Sequence, residues 1–463
     1  MPELHIEYLN TGSLAPYTKN ARTHSKKQIR QIADSIQQFG FTNPLLVDKD
    51  NMILAGHGRL AAAKLLQMGK VPCVRLEHMS PAQKRAYILA DNKLALNAGW
   101  DEELLALELQ DLLTLDPGFS IDVTGFSIAE VDHLIDGMRV EEAGAPEDEH
   151  LPELHKGPAV TLEGDIWLLG PHRLVCGNSL SVDVCKTLMA GEVAQMVFTD
   201  PPYNLKIDGN VSGQGKHREF AMASGEMNQP QFTAFLRNVF QNLCDHSVDG
   251  SIHFICMDWR HMAEMLKAAE PVYSELKNLI VWAKDNGGMG TFYRSRHELI
   301  FAFKNGTASH INSFELGQHG RYRTNVWSYK GMNSFGSNRN EDIGLHPTVK
   351  PVSMIVDAIK DVSTRNGVVL DLFGGSGSTL IAAHKTGRRA FLCELDPLYC
   401  DRSIKRWQAH ARDDAILATT GETFEDVARA RRMEIQSRQP VSETADINSR
   451  LSALQRSAVE AAG

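Results

Sequence analysis

Apolar and polar residues alternate at helical and strand spacing through the first 80 residues of the chain. Three isoleucines share one face of a predicted helix over Ser25–Phe39, and Gly40 follows as a stop signal. The other elements predicted here are strands at Pro44–Val47, Met52–Ala55 and Val71–Leu76 and a helix at Arg59–Gln67. This mixture predicts a small α/β module at the start of the chain.

The next 60 residues are acidic and rich in leucine. Residues 100–138 continue with helical character, and residues 140–157 are polar and interrupted by proline and glycine, which is typical of a linker. A leucine stripe more often covers a core than carries a function, so it is assigned to packing. The predicted parts of the chain are an N-terminal domain with its acidic extension at 1–139, a linker at 140–157, a large domain at 158–425 and a charged tail at 426–463.

Short strands and helices alternate through the large domain. Strands are predicted at Val197–Thr199, Ser251–Cys256, Leu279–Ala283 and Glu298–Phe303, and helices at Asp183–Ala190, Phe232–Cys244 and Trp259–Ala269. This alternation predicts a second α/β domain whose sheet is rich in parallel strands. Residues 205–230 are rich in glycine and asparagine and lack periodicity, so a loop is predicted there.

The apolar run 196–199 ends abruptly in Asp200, Pro201, Pro202 and Tyr203. Because proline cannot continue a strand's hydrogen-bond ladder, these residues predict a stiff loop at the carboxyl end of a buried strand. Ligands bind at that edge in open α/β sheets. An isolated motif of this kind would favour a surface turn. The motifs that follow favour a site, and the four residues are candidate catalytic groups.

A second candidate site lies at residues 367–378, where an apolar strand runs into a glycine-rich turn. Gly375 and Gly377 allow backbone N–H groups to approach a ligand closely. Glu394 ends the next predicted strand and can accept hydrogen bonds from both hydroxyls of a ribose. A nicotinamide dinucleotide would be the usual first interpretation, but Leu380 occupies the place of the third glycine of that fingerprint. S-adenosylmethionine has a ribose but no pyrophosphate, so it needs less of this loop.

Residues 317–340 interleave basic and aromatic side chains and contain no acid. Basic side chains contact phosphates, while aromatic and amide groups can meet bases. The segment is therefore predicted to be a nucleic-acid surface. Its candidate DNA-binding residues are Arg321, Tyr322, Arg323, Trp327, Lys330 and Arg339.

Composition and charge limit the class of protein and the partners that the chain can have. The chain has no apolar run of membrane-spanning length and no signal-peptide pattern, and its seven cysteines include no CxxC pair. These features favour a reducing cytoplasm and argue against structural zinc or a disulfide framework. The net charge is −9, but residues 101–153 alone carry −15, so the remainder carries +6 and can face a polyanion.

The N-terminal module resembles the ParB N-terminal (ParB/sulfiredoxin-like) domain over about residues 3–115. The resemblance rests on Pro16, Asn20 and Arg22, on DSIQQFGFTNPLLVD and on ILAGHGRLAAAKLL. It implies that the turn at residues 56–59 helps to bind the phosphates of a nucleotide. The five positive charges between residues 19 and 30 fit a phosphate contact and a solvated helix face equally well. His57 stands where ParB proteins usually have Glu.

Residues 160–410 closely resemble the amino-methyltransferases of DNA, in the order where the catalytic motif precedes the cofactor motif. Four motifs carry the resemblance: Asp200–Tyr203, His346–Pro351, Asp371–Ser378 and Glu394–Pro397. It implies a Rossmann-like S-adenosylmethionine-dependent domain in which residues 305–345 recognise the target. The residues implied for the cofactor are Asn178, Lys350 (near its methionine end), Asp371, Phe373, Gly375, Gly377, Ser378 and Glu394.

The resemblance implies a site-specific methyltransferase acting on the N6 amine of adenine in double-stranded DNA, as found fused to ParB-like domains in phage and prophage proteins. Methylation of cytosine N4 is an alternative, although that group more often has Ser where Asp200 stands. A ParB-like DNA-binding protein with an inactive methyltransferase half is another. The other expected partner is a nucleotide or DNA at the N-terminal domain. A homodimer and a restriction partner stay open, and no membrane partner is expected.

Overall fold

The structure, a computed structural model, describes residues 4–115, 119–137, 148, 150–154, 157–204, 223, 225–285, 293–313, 323–330 and 349–438. Two compact units divide these residues. The first holds the described residues through 137, and the second holds those of 148–312 and 323–438. Both units combine helices with a sheet, which confirms the predicted α/β class. No helix in the described ranges is long and apolar enough to cross a bilayer.

The first unit is built on a four-stranded sheet with the order β1-β4-β2-β3. Its strands are β1 (Ile6–Asn10), β2 (Leu45–Val47), β3 (Ile53–Ala55) and β4 (Lys70–Arg75). Its helices are α1 (Lys26–Phe39), α2 (His57–Leu65), α3 (Pro81–Ala95), α4 (Glu102–Leu115) and α5 (Ile128–Gly137), with 3-10 turns at Thr11–Ser13 and Ile121–Thr124. The sequence pattern missed β1, because none of its five residues is fully buried.

Local side chains explain where the first helix begins and ends. The Ser25 hydroxyl accepts a hydrogen bond from the Gln28 N–H, which satisfies a donor that has no partner within the helix. At the other end Gly40 has φ +81° and donates its N–H to the Ile36 carbonyl. The predicted helix over Ser25–Phe39 therefore differs from the observed one only by its capping residue.

The second unit contains a ten-stranded sheet with the order β11-β9-β10-β8-β7-β12-β13-β6-β5-β14. The strands are β5 (Ile166–Leu169), β6 (His172–Cys176), β7 (Ala194–Thr199), β8 (Ser247–Met257), β9 (Glu275–Ala283), β10 (His297–Lys304), β11 (Val326–Ser328), β12 (Val368–Asp371), β13 (Arg389–Glu394) and β14 (Ile416–Leu417). The helices are α6 (Val182–Met189), α7 (Gln229–Asp245), α8 (Met262–Ala269), α9 (Val352–Val362), α10 (Ser378–Lys385), α11 (Pro397–Ala411) and α12 (Phe424–Arg438), with a 3-10 turn at Trp259–His261.

The centre of this sheet is parallel, and the antiparallel pairs lie in its flanks. The adjacent strands β8, β7, β12, β13 and β6 run parallel to one another, as the alternation of strands and helices predicted. β10 runs antiparallel to both β8 and β9, so it begins at the edge where those strands end. This reversal brings the first residues of β10 to the edge where ligands bind.

The core of the second unit covers both faces of the sheet. Along β7, Met196 and Phe198 pack into one apolar cluster, whereas Val197 packs into the other. Successive side chains of a strand point to opposite faces, so a strand that is covered on both faces is apolar throughout. This double burial holds the end of β7, and with it Asp200, in a fixed position.

Candidate active site

Three acidic side chains lie where neighbouring strands of the second unit end. Asp371 ends β12, Glu394 ends β13, and Asp200 follows β7 directly. β12 pairs in parallel with both β7 and β13, so the three carboxyl ends share one edge of the sheet. The structure thus brings the Asp-Pro-Pro-Tyr loop beside the glycine-rich turn, although the two motifs are far apart in sequence.

Asp371 joins the strand that carries Asp200 to the glycine-rich turn. Its carboxylate accepts hydrogen bonds from Thr199 Oγ1 at 2.8 Å, from Thr379 Oγ1 at 2.7 Å and from the Phe373 N–H at 3.0 Å. Burial raises the pKa of Asp371 to about 6, against the effect of these three donors. The Asp371 carboxylate therefore has a structural role, because its hydrogen bonds fix the glycine-rich turn to the ends of β7 and β12.

The glycine-rich turn has one glycine that faces open space and one that faces packed atoms. A Cβ placed on Gly375, which has φ +50°, would meet only the Phe373 carbonyl at 3.9 Å. A Cβ on Gly377, at φ +82°, would lie 3.0 Å from the Ser403 hydroxyl. Ser378 follows as the first residue of α10, and its Oγ accepts a hydrogen bond from Arg406 at 3.2 Å. The open side at Gly375 leaves room for a ligand beside the turn.

Glu394 lies beside that open side and is bound to the backbone. Its carboxylate accepts hydrogen bonds from the N–H groups of Gly375 and Asp396, both at 2.8 Å. Burial raises the pKa of Glu394 to about 7, outweighing these two donors. Asn178 lies on the turn after β6, the next strand along, where its side-chain oxygen accepts from the Leu180 N–H at 2.9 Å.

The Asp200 carboxylate has a partner for each of its oxygens. Oδ1 accepts a hydrogen bond from the Tyr203 hydroxyl at 2.6 Å, and Oδ2 forms a close ion pair with Lys350 Nζ. The Lys350 side chain is only 4% exposed, and its Nζ lies 5.5 Å from the centroid of the Tyr203 ring. The loop from Asp200 to Tyr203 is thus fixed by charge as well as by its two prolines.

Glu298 completes this cluster, and it was absent from the residues predicted for the site. Its Oε2 lies 3.1 Å from both Lys350 Nζ and the Tyr203 hydroxyl, and its Oε1 forms a close ion pair with Lys284 Nζ. Glu298 is the second residue of β10 and directly precedes the apolar run LIFAF. A charged side chain at the start of such a strand was a signal in the sequence that pointed to it.

Three charged groups of the cluster, Asp200, Glu298 and Lys350, have shifted pKa values. Burial raises the pKa of Asp200 and Glu298 adds to the rise, while the Lys350 ammonium opposes it. Burial lowers the pKa of Lys350, but the carboxylates of Asp200 and Glu298 outweigh it and the net shift is upward. Burial also favours neutral Glu298, yet Lys350 and Lys284 bring its pKa to about 2. Lys350 and Glu298 are therefore charged at neutral pH.

Two of the residues predicted to bind DNA, Arg323 and Trp327, pack inside the protein or pair with acidic side chains. Trp327 is buried in the core as part of the edge strand β11. Arg323 forms ion pairs with Asp361 at 3.0 Å and Asp357 at 3.2 Å, and its guanidinium lies 4.6 Å from the Trp327 ring centroid. Packing and charge pairing thus already occupy both side chains, and their binding to DNA stays a prediction.

The other candidates of the predicted DNA surface fall into two groups. Lys330 is exposed at the end of the described segment 323–330. Arg321, Tyr322 and Arg339 lie outside the described residues, as do most of the loop predicted at 205–230 and the first three residues of the His346–Pro351 motif.

In the first unit, the turn that resembles the ParB phosphate-binding segment opens α2. Gly56 has φ +98°, and the His57 ring accepts the Tyr17 N–H through Nε2 at 3.2 Å. Burial lowers the pKa of His57, so the ring favours its neutral, accepting form. Arg59 donates to the carbonyl of Pro44 at 3.0 Å. His57 and Arg59 thus brace the turn, and the first backbone N–H groups of α2, as at the start of any helix, have no acceptor within the helix.

Comparisons with known proteins agree with both halves of this description. Residues 194–406 match the family model of N6/N4 methyltransferases, described as DNA methylase. Residues 2–93 match the ParB N-terminal domain, and residues 103–162 match the ParB-methyltransferase HTH domain. The latter match spans the segments predicted as an acidic extension and a linker.

Individual relatives divide between the two halves. The ParB-like nuclease domain-containing protein YnaK of Escherichia coli (strain K12) is 47% identical over 83 residues, which cover 18% of this chain and 95% of that protein. The Type II methyltransferase M2.DpnII of Streptococcus pneumoniae is 26% identical over 252 residues, covering 48% of this chain and 85% of that protein. The crystal structure of the M1.HpyAVI–SAM complex is 17% identical, with a TM-score of 0.36 over 50% of this chain and 98% of that one.

The cofactor of this family is S-adenosylmethionine, and the edge of the sheet fits it. Gly375 has open space where a larger side chain would fill the cradle, and Glu394 supplies an acid at the end of the adjacent strand. Methylase motifs, cofactor cradle and ParB module thus occur in one polypeptide. The chain carries a DNA methylase domain of the N6/N4 family at residues 194–406, and a ParB N-terminal domain precedes it.

Proposed function

We propose that this DNA methylase transfers a methyl group from S-adenosylmethionine to the exocyclic N6 amine of adenine. The observation that carries the proposal is the Asp200 carboxylate, held beside the cofactor cradle by Lys350 and Tyr203. The resemblance of the catalytic motif supports adenine, because the cytosine-N4 enzymes more often have Ser at this position.

The difficult partner in this reaction is the amine, whose lone pair is delocalised into the base ring. Asp200 and a backbone carbonyl of the Pro201–Pro202 loop would accept hydrogen bonds from its two N–H groups. These acceptors would hold the nitrogen in a more tetrahedral form, with its lone pair directed at the methyl donor. Bound S-adenosylmethionine supplies an electrophilic methyl group on its sulfonium. The protein's contribution is then orientation and electrostatic stabilisation.

Tyr203 and Lys350, the two partners of the Asp200 carboxylate, would have separate roles. The Tyr203 ring would stack on the target base, which must leave the duplex to reach the site. Lys350 was predicted to lie near the methionine end of the cofactor, and its ion pair with Asp200 supports a further role in keeping that carboxylate ionised.

The residues that would hold the cofactor surround the glycine-rich turn. Glu394 would accept hydrogen bonds from the ribose hydroxyls, and Phe373 would contact the adenine or the ribose. Gly375 would let the backbone approach the ligand, and Asn178 would bond to it through its amide. Asp371, Gly377 and Ser378 would act indirectly by shaping the turn.

Cofactor affinity is expected to fall in acid because of Glu394. Its pKa of about 7 means that the carboxylate gains a proton as the pH drops, which weakens it as an acceptor for ribose hydroxyls. Calorimetry with S-adenosylmethionine should show binding about tenfold weaker at pH 6 than at pH 8. In Glu394→Gln the affinity should be lower and this dependence absent. Equal affinity of the wild type at both pH values would contradict the assignment.

We also propose that the ParB domain binds a nucleotide or DNA at the turn that opens α2. Support comes from the N–H groups at the helix start, which have no acceptor within the helix, and from the basic residues Lys26, Lys27 and Arg30 of α1, the helix that packs against α2. Filter binding of the full chain should retain labelled CTP or DNA at this turn. Because the methylase domain also binds DNA, only the part of DNA retention that a change in the turn removes counts toward the proposal. Gly56→Val should reduce the retention, because a Cβ there would lie 2.5 Å from Leu45. Retention of neither ligand would remove this proposal.

Identification of the product tests the main proposal. The purified protein is incubated with mixed-sequence DNA from a methylation-deficient host and S-adenosylmethionine labelled in its methyl group. After digestion to nucleosides, the label should be found in N6-methyldeoxyadenosine. Label in N4-methylcytosine would transfer the assignment to the alternative acceptor, and no transfer would favour an inactive methylase half.

A further inference from the structure

The Tyr203 hydroxyl lies between two carboxylates but has only one proton to donate. It lies 2.6 Å from Asp200 Oδ1 and 3.1 Å from Glu298 Oε2, and it accepts a hydrogen bond from Lys350 Nζ at 3.3 Å. The shorter distance marks Asp200 as the acceptor in this structure. A small rotation of the hydroxyl hydrogen, with little movement of the ring, would transfer the bond to Glu298.

This arrangement leaves Asp200 engaged at both oxygens. Oδ1 accepts from Tyr203, and Oδ2 is paired with Lys350. A carboxylate that already accepts hydrogen bonds from an ammonium group and a hydroxyl forms a weaker hydrogen bond with a third donor. The exocyclic amine of a target base would therefore compete with the Tyr203 hydroxyl for Oδ1.

We propose that Glu298 is a positioning residue that takes the Tyr203 hydroxyl away from Asp200 when the target amine arrives. A buried hydroxyl left without a partner is costly, so its release from Asp200 needs a second acceptor within reach. Glu298 is the acceptor that the geometry provides. The inference rests on the proposed function, because it requires that Asp200 accept a hydrogen bond from the amine.

Glu298 is held ready for this role by its own neighbours. Its backbone is fixed within the sheet, where it pairs with Trp282 of β9. One carboxylate oxygen is paired with Lys284, whose Nζ lies 4.5 Å from the Trp282 ring centroid. The other oxygen shares Lys350 with Asp200. A carboxylate anchored at one oxygen keeps the other aimed at Tyr203.

The test is a rescue experiment with Glu298→Ala and Tyr203→Phe. Glu298→Ala should lower kcat for methyl transfer about 100-fold while KM for S-adenosylmethionine stays within about twofold. Adding Tyr203→Phe removes the competing hydroxyl and keeps the ring, so the double variant should recover at least about tenfold of that loss. A residue with a merely structural role would give no such recovery. Glu298→Gln keeps an acceptor oxygen and should lose less activity than alanine.

Control variants distinguish a specific effect of Glu298 from a general effect of Tyr203→Phe and from loss of folding. Glu192→Ala removes an exposed glutamate paired with Arg389 near the amino end of β7, and adding Tyr203→Phe to it should give no gain. If Glu298→Ala does not fold, the comparison uses Glu298→Leu, whose side chain is of similar size but has no acceptor oxygen, with and without Tyr203→Phe. A double variant as slow as its Glu298 parent overturns the inference. Wild-type protein in the same assay reports on the proposed function separately, through the methylated nucleoside that it forms.

Discussion

Replacing Asp200 by alanine is expected to lower kcat for methyl transfer by at least about 1,000-fold, with cofactor affinity unchanged within about threefold. The carboxylate lies at the end of β7 and its proposed work is to orient the amine, so its loss removes an interaction made in the transition state. The cofactor cradle is built from β12, β13 and the turn after β12, which the substitution does not touch.

The measurement pairs single-turnover transfer of labelled methyl groups to DNA with calorimetry of cofactor binding. Asp413→Ala, at an exposed acid after α11, is the matched control and should behave as the wild type. Asp200→Asn keeps one acceptor oxygen and should retain more activity than alanine. Transfer by the alanine variant at near the wild-type rate would show that Asp200 does not carry the chemistry.

Replacing Lys350 by alanine is expected to destabilise the methylase unit by about 3–5 kcal/mol. Lys350 is 4% exposed and lies between Asp200 and Glu298, so its removal leaves two carboxylates facing each other, with Lys284 as the remaining cation among the described members of the cluster. A buried charge that loses its partner costs much more than an exposed one.

Urea denaturation followed by tryptophan fluorescence measures this loss, since five of the six tryptophans lie beyond residue 148. Lys277→Ala is the matched control, because Lys277 pairs with Glu275 on the surface and its side chain is 34% exposed. It should cost no more than about 1 kcal/mol. Equal stability of the two alanine variants would mean that the cluster around Lys350 does not stabilise the fold.

The elements around the site could be predicted because their signals are local. Asp200 follows an apolar strand and precedes two prolines, and Gly375 and Gly377 follow another apolar strand. Each of these patterns reports a strand end, and parallel strands bring their ends to one edge. The fold class and the meeting of the two motifs were therefore accessible from the sequence.

Glu298 could not be placed in the same way, because its position depends on strand direction. β10 begins at the ligand-binding edge only because it runs antiparallel to β8. The sequence contains the strand, but the order and direction of strands come from tertiary pairing. A glutamate at the end of a parallel strand would have been noticed, whereas one at the start of a strand resembles a surface residue.

The partners of Arg323 and Trp327 could not be predicted for a related reason. Interleaved basic and aromatic residues are typical of nucleic-acid surfaces, but the same pair can pack together as a cation on a ring. The acids that pair with Arg323 are Asp357 and Asp361 on α9, some distance along the chain. Composition within one segment does not report such partners.

Sequencing that detects modified bases, applied to DNA from cells expressing the wild type or Asp200→Ala, tests the central claim most directly. A methylation-deficient host provides the unmodified background. The wild type is predicted to modify adenine at N6 within one fixed sequence context, and the variant to leave the same sites unmodified. Modified cytosines, or adenines modified equally by both proteins, would contradict the account.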